Sequence, residues 1–229
     1  MRIPASMRWI VVLVFLSVIA RARPAAGSAI AYTDVTIFNA ATTGLNSITF
    51  EGLAPANGFM FFNSPPGLTT SGVNFQATAG TNNLFVLDPG FDSPNFFLPS
   101  GQYLQNNNFN PGSGILVTLP AGITALGADV SGQFPPNSNF DLTVTLTGGG
   151  VFPFPFVVPA RPGLSFVGFT SDVPILTAQF TADDGNAVSL DNFRFGAAAA
   201  AVVPEPASVV LIGTGVVSFA ARRRRQRRR

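Results

Sequence analysis

The side chains that most often do chemistry near neutral pH are missing. No histidine, cysteine or lysine occurs in the 229 residues. Without His the chain lacks the commonest general base and metal ligand. Without Cys it has no disulfide framework, thiolate metal site, thiol nucleophile or lipid-modified N-terminal Cys. Most nucleophile–base arrangements are thereby excluded. What remains is carboxylate chemistry, since ten of the 11 Asp and Glu lie between Tyr32 and Val203. Glycoside hydrolysis would require two of them facing each other across a cleft, and no stretch singles out such a pair. Two acids stand in distinctive surroundings, Glu51 in Thr49-Phe50-Glu51-Gly52 and Asp191 in Leu190-Asp191-Asn192-Phe193-Arg194-Phe195. Either could pair with Arg194 or cap backbone N–H groups. Asp183-Asp184-Gly185-Asn186 lacks the spaced ligands and distal Glu of an EF-hand loop and reads as a hairpin turn.

The elements that must hold these residues read as strands. Leu142, Val144 and Leu146 alternate with threonines, and Leu176, Ala178 and Phe180 alternate with Thr177, Gln179 and Thr181, the pattern of half-buried strands. Ile48 with Phe50, and Val73 with Phe75, repeat it. Further strands are expected at Leu84–Leu87, Ile115–Leu119, Ile123–Val130, Val151–Val158 and Leu164–Thr170. Asp191-Asn192 shifts the parity between Val188/Leu190 and Phe193/Phe195, which predicts a bulge. No stretch of useful length shows helical periodicity. Short strands at intervals of roughly ten residues predict an all-β, antiparallel jelly-roll-like β-sandwich. Its core is filled by phenylalanine, with 21 of the 23 between Tyr32 and Val203. Neighbouring pairs such as Phe61-Phe62 and Phe96-Phe97 point to opposite faces, so one of each is expected to lie against a loop or be exposed. Prolines at 153 and 155 cannot donate ladder bonds, so Val151–Val157 is expected at a sheet edge with its three Phe inward. Asn95 to Gly114 reads as a long polar loop with embedded aromatics, a site for a binding loop around Tyr103.

The net charge of +2 conceals a segregation. Between Tyr32 and Val203 only Arg161 and Arg194 oppose ten carboxylates, whereas four arginines fall in the first 23 residues and seven in the last eight. An acidic body does not bind nucleic acid, which needs clustered cations. At the N-terminus, Arg2 and Arg8 precede an apolar run from Trp9 to Ala20, too short to span comfortably. Ala29-Ile30-Ala31 supplies a small-x-small cleavage pattern, with Ala20-Arg21-Ala22 as a rival. Residues 1–31 are therefore expected to be a signal peptide and residues 32–200 the exported β-sandwich domain. At the other end, Pro204-Glu205-Pro206 cannot continue a helix. The uncharged 207–221 stretch suits a short transmembrane helix of about 22 Å, below the roughly 30 Å hydrocarbon core. Arg222, Arg223, Arg224, Arg225, Arg227, Arg228 and Arg229 follow, a cluster that stops translocation and holds to anionic lipid.

The order of Pro204-Glu205-Pro206, apolar helix and arginine cluster over residues 201–229 resembles the PEP-CTERM sorting signal of bacterial exported proteins. That resemblance implies a membrane-tethered precursor, an exosortase-type processing partner, and transfer of the body to the cell surface or an exopolysaccharide matrix, as in biofilm formation. The early Phe50-Glu51 and the closing Leu190-Asp191-Asn192 resemble adjacent strands of exported lectin and carbohydrate-binding jelly-roll modules. By that resemblance Glu51 and Asp191 would be ligands of a structural calcium, with carbonyl oxygens completing six to eight positions; no other cofactor is implied. The functional expectation is a non-enzymatic surface or matrix structural protein. The alternatives are a surface glycan-binding module and, more weakly, a glycoside-active enzyme. Sugar stacking usually uses Trp or Tyr, and the body contains no Trp and only Tyr32 and Tyr103.

Overall fold

The fold is that of a computed structural model, which describes residues 29–78, 83–91, 101–133, 138–159 and 162–200. The expected helices at 1–31 and 207–221 fall on residues outside this set, apart from the last three of the first range. Among the described residues no helix is long and apolar enough to cross a membrane. The body is an antiparallel β-sandwich. One sheet runs β1 (Ala29–Tyr32), β12 (Ser165–Ser171), β9 (Ala125–Gly132), β14 (Val188–Ala198), β7 (Tyr103–Asn106), β6 (Asn83–Leu87) and β3 (Phe59–Asn63), with β2 (Thr42–Ile48) also pairing β14. The other runs β11 (Val151–Val158), β10 (Ser138–Leu146), β13 (Ile175–Ala182), β8 (Gly114–Thr118), β5 (Val73–Thr78) and β4 (Leu68–Thr70). From β7 to β9, and again from β11 to β14, the chain passes repeatedly between sheets, the winding of a jelly roll.

Alternation explains which face each strand buries. Leu142, Val144 and Leu146 of β10, Ile115 and Val117 of β8, and Val86, Leu104, Leu126 and Leu190 of the larger sheet meet in one shared core. Phe75 lies in this core between Phe50 and Phe193, with ring centroids 5.5 and 5.2 Å away in edge-to-face contact. Each such ring removes enough apolar surface from water to contribute about 1.5–3 kcal/mol. β11 is the outermost strand of its sheet, with Pro153 and Pro155 opposite Thr143 and Asp141. Its phenylalanines turn inward: Phe156 packs near Phe140 and Phe152 near Phe169. The bulge at Asp191-Asn192 is present, with the β14–β9 register shifting between Asp191 and Arg194 and Asn192 at φ 46°.

Several expectations are corrected. Leu176 is exposed because β13 carries its own bulge there, pairing Thr177 with Thr145 but Ile175 with Leu146. Asp183 to Asn186 is a turn but not a hairpin, since β13 and β14 belong to different sheets. Strand β7 lies inside the expected polar loop, and all four of its residues are buried. A short helix, α1 (Val35–Ala40), occurs where none was expected. Six residues are too few to display periodicity, and the one local signal was the N-cap: Asp34 Oδ1 accepts from the N–H groups of Thr36 and Ile37 at 2.7 and 3.1 Å. Ala29, Ile30 and Ala31, which the sequence assigned to the leader, pair with Ser171, Thr170 and Phe169 of β12.

Helix α1 lies on the outer face of the larger sheet through Phe38, which is fully buried against Tyr32 and Phe166. It fits because Gly127 and Gly168, directly opposite each other on β9 and β12, leave a bare floor. A Cβ on Gly168 would lie 2.6 Å from Phe38 Cδ2. Gly168→Ala is therefore expected to destabilise the domain by about 1–3 kcal/mol through overpacking. Gly148→Ala, where a Cβ would meet nothing within 4 Å, is expected to be near neutral. Urea unfolding of both variants checks the contrast.

Candidate functional site

The acids singled out by the sequence sit in structural locks. Glu51 Oε1 accepts from the backbone N–H of Gln102 at 2.9 Å. Gly101, at φ 121°, makes the approach possible, because a Cβ there would collide with the Glu51 carboxylate. The Gln102 side chain then ties two loops together. Its Oε1 accepts from the N–H groups of Leu53 and Ala54, while its Nε2 donates to Ala54 O and to Asp88 Oδ2. Asp88 Oδ1 closes its own turn by accepting from Gly90 N–H and also takes Asn57 N–H. These backbone donors, Gly90 first and Asn57 next, hold the Asp88 carboxyl below its ordinary range. The N–H groups of Ile37 and Thr36 do the same for Asp34.

Asp191, buried on β14, lies directly across the ladder from Asp129 on β9. Like charges so placed repel, and the bulge places an amide between them: Asn192 Nδ2 reaches Asp129 Oδ2 at 2.9 Å and Asp191 Oδ2 at 3.4 Å, while Asn192 N–H donates to Asp191 Oδ1. Arg194 pairs with Asp129 at 3.4 Å and lies over the Phe166 ring. The hydrogen bonds named here for Glu51 and Asp191 come from N–H groups. Among the described residues no group of three His, Cys, Asp or Glu is placed to hold a metal ion.

The concave feature with binding chemistry lies elsewhere, on the outer face of the larger sheet. β3, β6 and β7 bring Phe59, Phe85, Leu87 and Gln105 to it, and the neighbouring turns add Phe91, Asn107, Phe109 and Gln133. Register dictates this. Phe59 opposes Leu87, and Phe85 opposes Gln105, so all four share the face opposite Val86 and Leu104 in the core. Phe59 meets Phe91 with centroids 4.9 Å apart and Phe85 at 5.5 Å, both edge-to-face. Phe59, Phe91 and Phe109 are each about two-fifths exposed. The amide of Gln105 is fixed: its Oε1 accepts from Ser189 Oγ at 3.1 Å and its Nε2 donates to Gln133 Oε1 at 2.9 Å. The result is an open aromatic groove of about 220 Å³ edged by amides, with no charge among the described residues that line it. Rings of this kind stack on apolar faces, and fixed amides address hydroxyls.

The sequence pointed to the stretch from Asn95 to Gly114 around Tyr103, and Gln105, Asn107 and Phe109 of that stretch line the groove. Tyr103, the cross-strand partner of Leu87, is buried beside it and not presented to solvent. Of the three consecutive asparagines, Asn106 is also internal, accepting from Val188 N–H at 2.6 Å and donating to Asn108 O. Asn107 alone lines the groove. The signal for Phe59, Phe85 and Gln105 was alternation across three adjacent strands, which requires their pairing to be known. Phe96 and Phe97 lie outside the described residues.

Two comparisons bear on these features. Residues 202–225 match the PEP-CTERM protein-sorting motif; the chain is thus an exported protein with a membrane-anchored precursor. The sorting residues from Pro204 to Arg229 lie outside the described set. The body resembles carbohydrate-binding jelly-roll modules. One is the CBM22-1–GH10 portion of a Clostridium thermocellum endo-1,4-beta-D-xylanase complexed with xylohexaose, at 12% identity and TM-score 0.39, over 67% of this chain and 28% of that one. Another is a mutant of a family 29 carbohydrate-binding module, CBM29-2, at 11% and 0.37, over 65% and 98%. A third is the family 11 module from Clostridium thermocellum in complex with a mixed-linked tetrasaccharide, at 11% and 0.33, over 67% and 96%. No curated protein matches the chain.

The depressed carboxyls give a pH expectation. A group whose folded pKa lies below its unfolded value contributes stability above the unfolded value and loses it as pH falls through the folded one. The Asp34 cap and the Asp88 turn should therefore hold down to pH about 4 and weaken below it. Thermal melts at decreasing pH check this, and Asp34→Asn, which keeps the cap oxygen without titrating, should flatten its share of the decline.

Proposed function

We propose that this is an exported, non-enzymatic protein of the cell surface or extracellular matrix that holds a neutral polysaccharide in the aromatic groove. The observation that carries the reading is the combination of Phe59, Phe85, Phe91 and Phe109 with Gln105, Asn107 and Gln133 and no charge among them. Carbohydrate rings present apolar C–H faces bordered by hydroxyls, so a ligand lying across the groove stacks on phenylalanine while amides meet its rim. The described residues of the lining carry no charge, which favours neutral chains, whose binding varies little with salt. The same composition supports binding over cleavage, since the two carboxylates that glycoside hydrolysis requires are missing among the described residues of the lining. Export by the sorting segment delivers the domain to where such polymers are deposited. An exosortase-type enzyme is the processing partner, acting near Pro204-Glu205-Pro206, and the arginine cluster is left at the inner leaflet.

Affinity electrophoresis of the purified domain in gels containing neutral or acidic polysaccharide tests this. Retardation is expected in at least one neutral polymer, persisting at 1 M salt. Phe59→Ala and Phe109→Ala should each weaken it about five- to tenfold, on the order of 1 kcal/mol per ring, whereas exposed Leu176→Ala on the other sheet should leave it unchanged. No retardation in any neutral polymer, or equal binding by all variants, removes the proposal.

A further inference from the structure

The rings and amides of the groove are arranged so that they select among neutral sugars. Phe59 is steeply inclined to both rings it meets, at 75° to Phe85 and 63° to Phe91. Phe61, on the same face of β3, is turned 69° from Phe85. A flat platform for an extended sugar chain needs ring faces lying side by side. Edge-to-face neighbours instead form re-entrant corners, between the face of one ring and the edge of the next. Such a corner admits a small apolar group, a methyl above all. The groove volume of about 220 Å³ falls below the roughly 300–1,000 Å³ of drug-sized pockets, so it suits a single sugar unit and the substituent that unit carries.

The polar side is equally selective. Phe85 and Gln105 are cross-strand partners, so a ring and an amide stand side by side, with Cβ atoms about 4.5–5.5 Å apart. The hydrogen bonds of this amide run one way. Buried Ser189 donates its hydroxyl proton to Gln105 Oε1, and Gln105 Nε2 donates to Gln133 Oε1. Gln133 Nε2 ends the chain, with no acceptor for it among the described residues, and Gln105 Nε2 keeps a second N–H. The rim beside the rings therefore offers donors. Its complement is an acceptor joined to a small apolar tip. A hydroxyl fits less well, because its own O–H must find an acceptor elsewhere, whereas a carbonyl oxygen only accepts. A carboxylate accepts too, but the described lining holds no cation to offset withdrawing its charge from water. We infer that the groove recognises an acetyl substituent on a neutral sugar, with the methyl in the corner beside Phe59 and the carbonyl oxygen accepting from the Gln133 and Gln105 amides. This rests on the reading of the groove as a polysaccharide site. Acetamido and O-acetyl groups share the chemistry.

Isothermal titration calorimetry of the full chain, purified after export from a bacterial host, tests this with two matched pairs of ligands. A cello-oligosaccharide and an N-acetylated chito-oligosaccharide of equal length share a backbone and differ in carrying a hydroxyl or an acetamido group. O-acetylated glucomannan and the same polymer after alkaline deacetylation form the second pair. The acetylated member of at least one pair is expected to bind about tenfold more tightly, and the pair that discriminates tells acetamido from O-acetyl. Gln133→Glu keeps an oxygen for Gln105 Nε2 but replaces the outward donor with an acceptor. With its melting temperature matching the parent, it should bind the acetylated member about tenfold more weakly. An undiminished preference in Gln133→Glu overturns the inference. Equal affinity within both pairs overturns it too and leaves the polysaccharide reading in place. Binding of none of these ligands also overturns it, and the polysaccharide reading falls with it only if no neutral polymer retards the protein.

Discussion

The structure depends on one steric constraint, the alternation of side chains across the pleat. A chain with few charges and abundant phenylalanine must remove one face of every strand from water, and two antiparallel sheets sharing a core accomplish this. Once Leu142, Val144 and Leu146 face inward from one sheet, and Val86, Leu104 and Leu190 from the other, every remaining position has its side fixed. Phe59, Phe85 and Gln105 reach the outer face by this rule, not by any local preference. The groove is therefore a consequence of the core: the residues that build it are those the core parity leaves outside.

Where strands leave the sheets, amide side chains replace the ladder. Gln102 satisfies backbone groups of residues 53 and 54 and reaches Asp88; Asn106 accepts from Val188; Asn186 accepts from Gln133 N–H at 2.6 Å and donates to Ser138. Buried backbone groups left unpaired would each cost about 1–3 kcal/mol, so a loop-rich jelly roll needs such partners. Asn and Gln do this without introducing charge. This accounts for an amide-rich sequence and for the apparent polarity of a stretch that proves to be an internal strand. The Asp129–Asn192–Asp191 arrangement belongs to the same class. A bulge places an amide between two carboxylates that strand pairing forces together.

The termini serve a separate purpose from the body. Cations are concentrated in the first 23 and the last eight residues, while the body between them is acidic. The last strand of the sandwich ends at Ala198, and the sorting motif follows it in the sequence at residues 202–225. Delivery and ligand contact can thus be altered independently, one by the residues after β14 and the other by the outer face of the larger sheet.

How much was legible in the sequence follows from which interactions are local. Binary alternation, proline at an edge, the parity slip at Asp191-Asn192 and the segregation of arginine are short-range patterns. They determined the all-β antiparallel sandwich, the β11 edge, the bulge and the sorting segment. Pairing between strands distant in the chain was not written in any window. Only the tertiary structure could decide that Tyr103 is internal, that Leu176 is pushed out by a bulge, that Glu51 caps Gln102, and that Phe59, Phe85 and Gln105 share a surface. Nor could composition reveal that Ala29–Ala31, a plausible cleavage tripeptide, is a paired strand, because its partner lies about 140 residues further along. A strand's period fixes which of its residues face together, but the partner that makes a face into a site is chosen by packing across the whole fold.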